Sequence, residues 1–155
     1  IYAILGHQLI KGNFKMTKIY TAGKIWHAPK FQKLRDVDGY DVNARWIDLD
    51  DNNPIVKHRK DLLWQICYED VRDCDFVLLY CDKMEEEQRG ALVEIGMAFA
   101  FNKPVYAVGT CKTIEPNAIS DVAFTHFENF IWLPSINLKD GITLATMKYQ
   151  AALAA

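Results

Sequence analysis

The sequence predicts an α/β fold: a parallel five-stranded sheet covered by helices on both faces, a single-domain three-layer sandwich of the flavodoxin/Rossmann-like type. Three observations predict it. Short strand-length apolar runs alternate with helical stretches from Lys18 onward, which is the pattern of a doubly covered parallel sheet. Between the strand-like Phe76-Val77-Leu78-Leu79-Tyr80 and Pro104-Val105-Tyr106-Ala107-Val108-Gly109 lies a helix candidate, Gln88 to Phe101, that reads as the crossover of a parallel pair. The chain of 155 residues, 50% hydrophobic and 25% charged, has the composition of one soluble globular domain with a sizeable core.

The elements follow in order. A first strand is expected at Lys18 to Ala22, then a helix around Ala28 to Arg35 and a second strand at Asp41 to Ile47. An acidic loop runs through Pro54, and a long helix from about Val56 to Asp73 shows Leu62, Leu63, Ile66 and Val71 at roughly helical spacing. The third strand is Phe76 to Cys81, and the helix of Gln88 to Phe101 comes next. A fourth strand covers Val105 to Val108, and a weaker helical segment spans Asn117 to Phe127. Phe130 to Pro134 makes a fifth strand before a final helix near Leu138 to Ala152. No repeat, low-complexity segment or Pro/Gly/Ser-rich linker divides the chain. The strand-like start just after Met16 points to Met16 as the natural beginning, with residues 1–15 an upstream or non-native extension.

Several function classes are disfavoured. A net charge of −2 offers no footprint for a nucleic-acid polymer, and the basic cluster Lys57-His58-Arg59-Lys60 is short. No apolar run approaches the roughly 18 residues that span a bilayer, so no membrane association is expected. Cys67, Cys74, Cys81 and Cys111 form no CxxC pair and no metal-ligand spacing with the four histidines; they read as reduced thiols of a cytoplasmic protein, and no metal is expected. The acidic loop Asp48 to Asn53 lacks the glycine and distal glutamate of a calcium loop. Neither GxGxxG nor GxxxxGK[ST] is present, and no cofactor is expected.

The chemistry centres on Glu94. It is the one carboxylate inside a nearly all-apolar helix, and a helix apolar all round is normally buried, so Glu94 should sit at a cavity wall or against a partner. Folds of this class place ligands at the carboxyl ends of their strands. There Tyr20-Thr21-Ala22-Gly23-Lys24 turns at a glycine that lets backbone amides approach a ligand, and Gln88-Arg89-Gly90 opens the Glu94 helix, whose amino end can receive polar or anionic groups.

Ile19-Tyr20-Thr21-Ala22-Gly23, Asp75-Phe76-Val77-Leu78, Gly90-Ala91-Leu92-Val93-Glu94-Ile95-Gly96-Met97-Ala98 and Lys103-Pro104-Val105 come in an order and spacing that resembles the nucleoside 2-deoxyribosyltransferase family and its nucleotide N-glycosidase relatives. The resemblance runs from Lys18 to about Leu133, and assigns residues 16–155 to one such domain. It is nearest to phage and bacterial members that carry Arg45-Trp46 after the second strand and Trp64 to Cys67 before the third. It implies chemistry at the anomeric carbon of a deoxyribose, with Glu94 as nucleophile and Tyr20 orienting it. A helix amino end near Glu94 should help keep it ionised. Gly23, Lys24, Arg45, Trp46, Asp70, Gln88, Arg89 and Gly90 become the expected substrate-binding residues. The implied partners are a deoxynucleoside or deoxynucleotide, a free nucleobase, and neighbouring copies of the chain in a homo-oligomer.

Two departures from the family pattern bear on substrate. Where many members carry an aspartate eight residues before the one opening strand three, this chain has Cys67, and Asp70, one helical turn on, is the expected substitute. Six residues before the nucleophile, where the transferases carry an aspartate for the 5'-hydroxyl and the hydrolases a serine for a 5'-phosphate, this chain has Gln88. Transfer of deoxyribose between bases is the first expectation. Hydrolysis of a deoxynucleoside 5'-monophosphate is the second, and a catalytically silent nucleotide-binding module the third. Trp46, Trp64 and Tyr20 also have plain readings as core aromatics, Cys67 as an inert thiol, and Asp75 as the anchor of the turn into strand three.

Overall fold

The computed structural model describes residues 16–82, 88–109, 123–133 and 137–155. Its strands are β1 (Lys18–Ala22), β2 (Asp41–Val42), β3 (Phe76–Tyr80), β4 (Val105–Val108) and β5 (Phe130–Trp132). Its α-helices are α1 (Ala28–Asp36), α2 (Pro54–His58), α3 (Lys60–Asp73), α4 (Arg89–Ala100) and α5 (Leu138–Ala154). All strand pairings are parallel, in the order β2-β1-β3-β4-β5. The order reverses between β1 and β3, which is where sheets of this topology open a crevice at their carboxyl edge.

Successive strand residues face opposite sides of a sheet, so ring contacts assign each helix to a face. Phe76 and Tyr80 of β3 meet Tyr149 of α5 and Phe31 of α1, at ring separations of 5.4 and 6.4 Å. Tyr20 of β1 pairs in register with Val77, on the other face, and its hydroxyl reaches Glu94 of α4. Helices therefore cover both faces. Every residue of β3 and β4 is buried, as expected of central strands closed on two sides. Asp75 anchors the entry to β3 by accepting from the Lys18 amide at 2.7 Å and donating its own to the Lys18 carbonyl at 2.8 Å. At the other end of β4, Gly109 has φ +77°, and a Cβ there would lie 2.0 Å from the Cys81 carbonyl oxygen. Only glycine fits that approach.

Several features differ from the sequence reading. The second strand stops at Val42 rather than Ile47, because the chain leaves the sheet and closes a 3-10 turn at Arg45–Asp48. The helix expected from Val56 starts at Pro54, with Asn53 accepting from the Ile55 amide as its cap, and breaks at Arg59 (φ −130°, ψ 58°). That break costs little backbone bonding, since Arg59 still donates to Ile55 and accepts from Leu63. Finally, α4 is not buried all round: Ala91, Glu94, Ile95 and Ala98 face inward, while Val93 is 49% exposed. The weak helix expected over Asn117 to Phe127 appears as a 3-10 turn at Ala123–His126, and its earlier part lies outside the described residues. Residues 1–15, Cys111 and Pro134 lie outside them as well. Among the described residues, no helix is long and apolar enough to cross a membrane.

Candidate active site at the β1/β3 crevice

Glu94 sits on the second turn of α4, facing the sheet, and is 6% exposed. The Tyr20 hydroxyl donates to its Oε1 at 2.6 Å, a charge-assisted length. Tyr20 is fully buried, and burial first, then the neighbouring Glu94 charge, holds its phenol well above the usual tyrosine value. It therefore stays protonated and acts as a fixed donor. Burial likewise pushes the Glu94 carboxyl up to about 7, against the opposing pull of the Tyr20 hydroxyl and the Cys67 thiol. The expectation that a helix amino end keeps Glu94 ionised is thus corrected. The helix field fades beyond the first turn, Glu94 lies past it, and desolvation wins.

Glu94 forms part of the wall of a cavity of about 210 Å³. The cavity is lined by Gly23, Gly90, Ala91, Cys67 and Glu94 together with the apolar Ile25, Trp46, Leu49, Val56, Leu63 and Trp64, the Trp64 ring lying 3.9 Å from where a Gly90 Cβ would stand. Gly23 keeps the floor low, for a Cβ there would meet the Tyr80 carbonyl at 3.1 Å and the Phe31 ring at 3.4 Å. Gly90 and Ala91 belong to the first turn of α4 and bring its amino end to the cavity edge. Trp46 is held edge-on to Phe31 at 5.8 Å, and its indole Nε1 donates to the Thr21 carbonyl at 2.9 Å.

The expected site residues divide into two sets. Glu94, Tyr20, Gly23, Trp46 and Gly90 come together here. Arg45, Asp70, Gln88, Lys24 and Arg89 do not line this cavity. Arg45 turns its guanidinium onto Asp70 and Glu69, at 2.7 and 2.8 Å, so the Asp70 carboxylate is paired with Arg45 and lies outside the cavity lining. Burial raises the Asp70 carboxyl and its bonds to Arg45 lower it. Gln88 is buried, with Nε2 directed at the Tyr80 carbonyl at 3.3 Å. The Lys24 ammonium lies over the Trp26 ring at 5.4 Å, and Arg89 is exposed at the start of α4.

Of the apolar lining, sequence reasoning named Trp46 but missed Ile25, Leu49, Val56 and Leu63. Leu49 is the one apolar residue within the acidic loop and Val56 follows it closely, and these two were the available signal. Cys67 is a cavity residue rather than plain core; burial and the nearby Glu94 charge push its thiol up to about 12. Trp64, 38% exposed, lies at the cavity mouth rather than in the core. Among the described residues no group of histidine, cysteine and carboxylate side chains has the arrangement of a metal site.

What the arrangement offers is one carboxylate, fixed by one phenol donor, in a small cavity lined otherwise mainly by aromatic and aliphatic side chains. Such a group can attack an electrophilic carbon or take a proton from a bound ring.

Comparison with protein-family models gives no match, nor does comparison with curated proteins. Solved structures do match. The structure of the CMP N-glycosidase BcmB from Clostridium botulinum aligns with a TM-score of 0.51 at 14% identity, covering 84% of this chain and 99% of that one. A conserved protein from Enterococcus faecalis V583 aligns with a TM-score of 0.47 at 20% identity, covering 86% and 88%. The first of these likenesses shows that the fold is shared.

Proposed function

We propose that this chain breaks the N-glycosidic bond of a 2'-deoxyribonucleoside or its 5'-monophosphate, with Glu94 as nucleophile, and passes the deoxyribose to a second nucleobase. The observation that carries the reading is the Glu94 carboxyl, buried at the cavity wall and held by the Tyr20 hydroxyl at 2.6 Å. In the proposed step a Glu94 oxygen attacks C1' and the carbon–nitrogen bond breaks. The electron pair leaves on the base nitrogen, which takes up a proton. The resulting glycosyl ester is then attacked at C1' by a ring nitrogen of a second base, whose N–H proton is released to solvent and balances the one the first base took up, and the carbon–oxygen bond breaks to restore the free carboxylate.

The choice of an N-glycosidic bond is supported by what accompanies Glu94. Retaining enzymes acting on O-glycosides pair the nucleophile with a second carboxyl about 5–5.5 Å away, which protonates a poor alkoxide leaving group. Glu94 is the single carboxyl among the described residues of this cavity. A nucleobase spreads the departing charge over its ring and needs less help. The aromatic and aliphatic wall of Trp46, Leu49 and Trp64 suits a flat base. Hydrolysis, with water as the second acceptor, is the alternative, and it is favoured by the fold shared with an enzyme described as a CMP N-glycosidase.

The outward face of α4 supports a further part of the reading, assembly into a homo-oligomer. Val93, Gly96 and Ala100 are exposed on a helix whose only charged residues are Arg89 and Glu94, and Trp64 and Tyr68 of α3 are exposed as well. An apolar helix face of this kind is normally covered.

The test is chromatographic. Wild type and Glu94→Ala are incubated with each deoxynucleoside and deoxynucleoside monophosphate, with and without a second free base. Glu94-dependent base exchange is the expected result, together with a covalent deoxyribosyl adduct on Glu94 by mass spectrometry. Release without exchange makes the chain a hydrolase. Binding with neither release nor adduct overturns the enzymatic reading in favour of a silent nucleotide-binding module.

A further inference from the structure

Asp70 lies outside the cavity, yet three hydrogen bonds tie it to the segment that supplies one cavity wall. The 3-10 turn Arg45–Asp48 carries Trp46 and has no side-chain cap of its own. Its first amide, on Arg45, donates to Asp70 Oδ2 at 2.8 Å, across to helix α3. The other carboxylate oxygen accepts from Arg45 Nε at 2.7 Å, and Asn43 Nδ2 donates to the Asp70 backbone carbonyl at 2.9 Å. Arg45 extends the tie by donating from Nη2 to Glu69 at 2.8 Å. Asp70 is 6% exposed, so these bonds form with little competing water.

We propose that Asp70 is a positioning residue for base recognition: with Arg45 it caps the Trp46 turn from the neighbouring helix and fixes the indole as the wall against which the substrate's ring lies. The indole is held at two points. Its Nε1 is pinned to the Thr21 carbonyl of β1, and its backbone is pinned through the Arg45 amide to Asp70. Releasing the second point lets the ring pivot about the first. A turn amide left without its acceptor in a partly buried setting is costly, so the turn shifts toward water. The same latch explains why β2 ends at Val42: the polar groups of Asn43 and Arg45 are drawn to α3, and the chain follows them out of the sheet.

Position along α3 adds to the argument. Cys67 and Asp70 are one helical turn apart, and the first faces the cavity while the second faces the Trp46 turn. Helix α3 thereby joins a residue of the Glu94 cavity to the tie that holds the Trp46 turn. The word "base" here rests on the glycosidic reading above; the latch itself does not.

The experiment uses the full chain labelled with 5-fluorotryptophan, which gives one fluorine resonance for each of its four tryptophans, with that of Trp46 assigned by Trp46→Phe. The variants are Asp70→Asn, which keeps the size of the buried group, and Arg45→Ala, at a side chain 53% exposed and therefore tolerant of truncation. In both, the Trp46 resonance is expected to shift or broaden while those of Trp26 and Trp132 stay in place. The KM for the best nucleoside or nucleotide should rise roughly tenfold with kcat within about twofold of wild type. An unmoved Trp46 resonance in either folded variant overturns the proposal, and so does a fall in kcat with KM unchanged. If wild type turns over no glycosidic substrate, the functional reading falls by itself, and the fluorine spectra still decide the latch.

Discussion

Replacing Glu94 with glutamine should stabilise the protein, and by an amount that grows with pH. The folded-state carboxyl is raised by burial to about 7 from an ordinary value of 4.5. Between those values the folded protein keeps the proton that the unfolded chain has released. The unfolded state therefore binds fewer protons, and stability falls as pH rises through this window. A gap of about 2.5 pH units at about 1.4 kcal/mol each comes to about 3 kcal/mol, absent below pH 4.5 and complete above about 7. Glutamine has the same shape, can accept from the Tyr20 hydroxyl, and carries no charge at any of these values. Thermal and urea unfolding of both proteins from pH 5 to 8.5 should show near-equal stability at the acid end. At the alkaline end the variant should lead by about 3 kcal/mol, or roughly 6–12 °C in Tm at 2–4 °C per kcal/mol. A pH-independent gap would refute the reasoning, since it would mean that the Tyr20 bond fully offsets the desolvation of the charge. A wild type that gains on the variant with rising pH would refute it more strongly.

The other predictions concern the site and the frame around it. If Glu94 attacks as the carboxylate, kcat/KM should climb through an acid limb near 7, and a rate flat from pH 5 to 8 would contradict that. Tyr20→Phe removes the 2.6 Å donor, so the limb should move to higher pH and the plateau rate should drop by about 10- to 100-fold, read from the same profiles. Gly109→Ala puts a Cβ 2.0 Å from the Cys81 carbonyl at a positive φ; urea titration should show a loss of about 3 kcal/mol, and a loss under about 1 kcal/mol would mean that the strand ends separate freely. Val93→Glu on the outward face of α4 should lower the assembly mass measured by light scattering to that of a single chain, with the fold retained by circular dichroism.

What the sequence revealed and what it hid differ in physical kind. Fully buried strands announce themselves, because Phe76–Tyr80 and Val105–Val108 must be apolar at every position to face helices on both sides. That Glu94 needs a partner was legible because a lone carboxylate in an apolar helix demands one, while Tyr20 as that partner was implied by the family resemblance. The fates of Arg45 and Asp70 were hidden. Both are polar residues near the crevice, and sequence proximity cannot say whether a charged side chain turns toward a ligand or toward another side chain; here they turn toward each other. The same pairing hid the end of β2. The alternation from Asp41 to Ile47 reads as strand, whereas a carboxylate on α3 recruits the Arg45 amide into a turn. The break at Arg59 carried no proline or glycine to mark it.

Desolvation of Glu94 has opposite consequences for the resting protein and for the proposed reaction, and the two can be set against each other. At rest, an ionised Glu94 gains too little from the Tyr20 bond to offset the loss of water, so the folded protein carries a charge that it would be more stable without. When a glycosidic bond stretches, positive charge develops at C1' and the ring oxygen, a few ångströms from that carboxylate. In the same dry cavity the attraction between the two charges is far stronger than in water. Among the described residues the cavity lining holds no cation for Glu94 to pair with beforehand: Arg45 is committed to Asp70 and Glu69, and the described groups at the carboxyl are a phenol and a thiol. A resident arginine would settle the resting charge and, by the same amount, weaken the differential attraction for the transition state. The low stability predicted at alkaline pH and the proposed nucleophilic role therefore share one cause. Glu94→Gln should separate them, more stable in unfolding and inactive in base exchange.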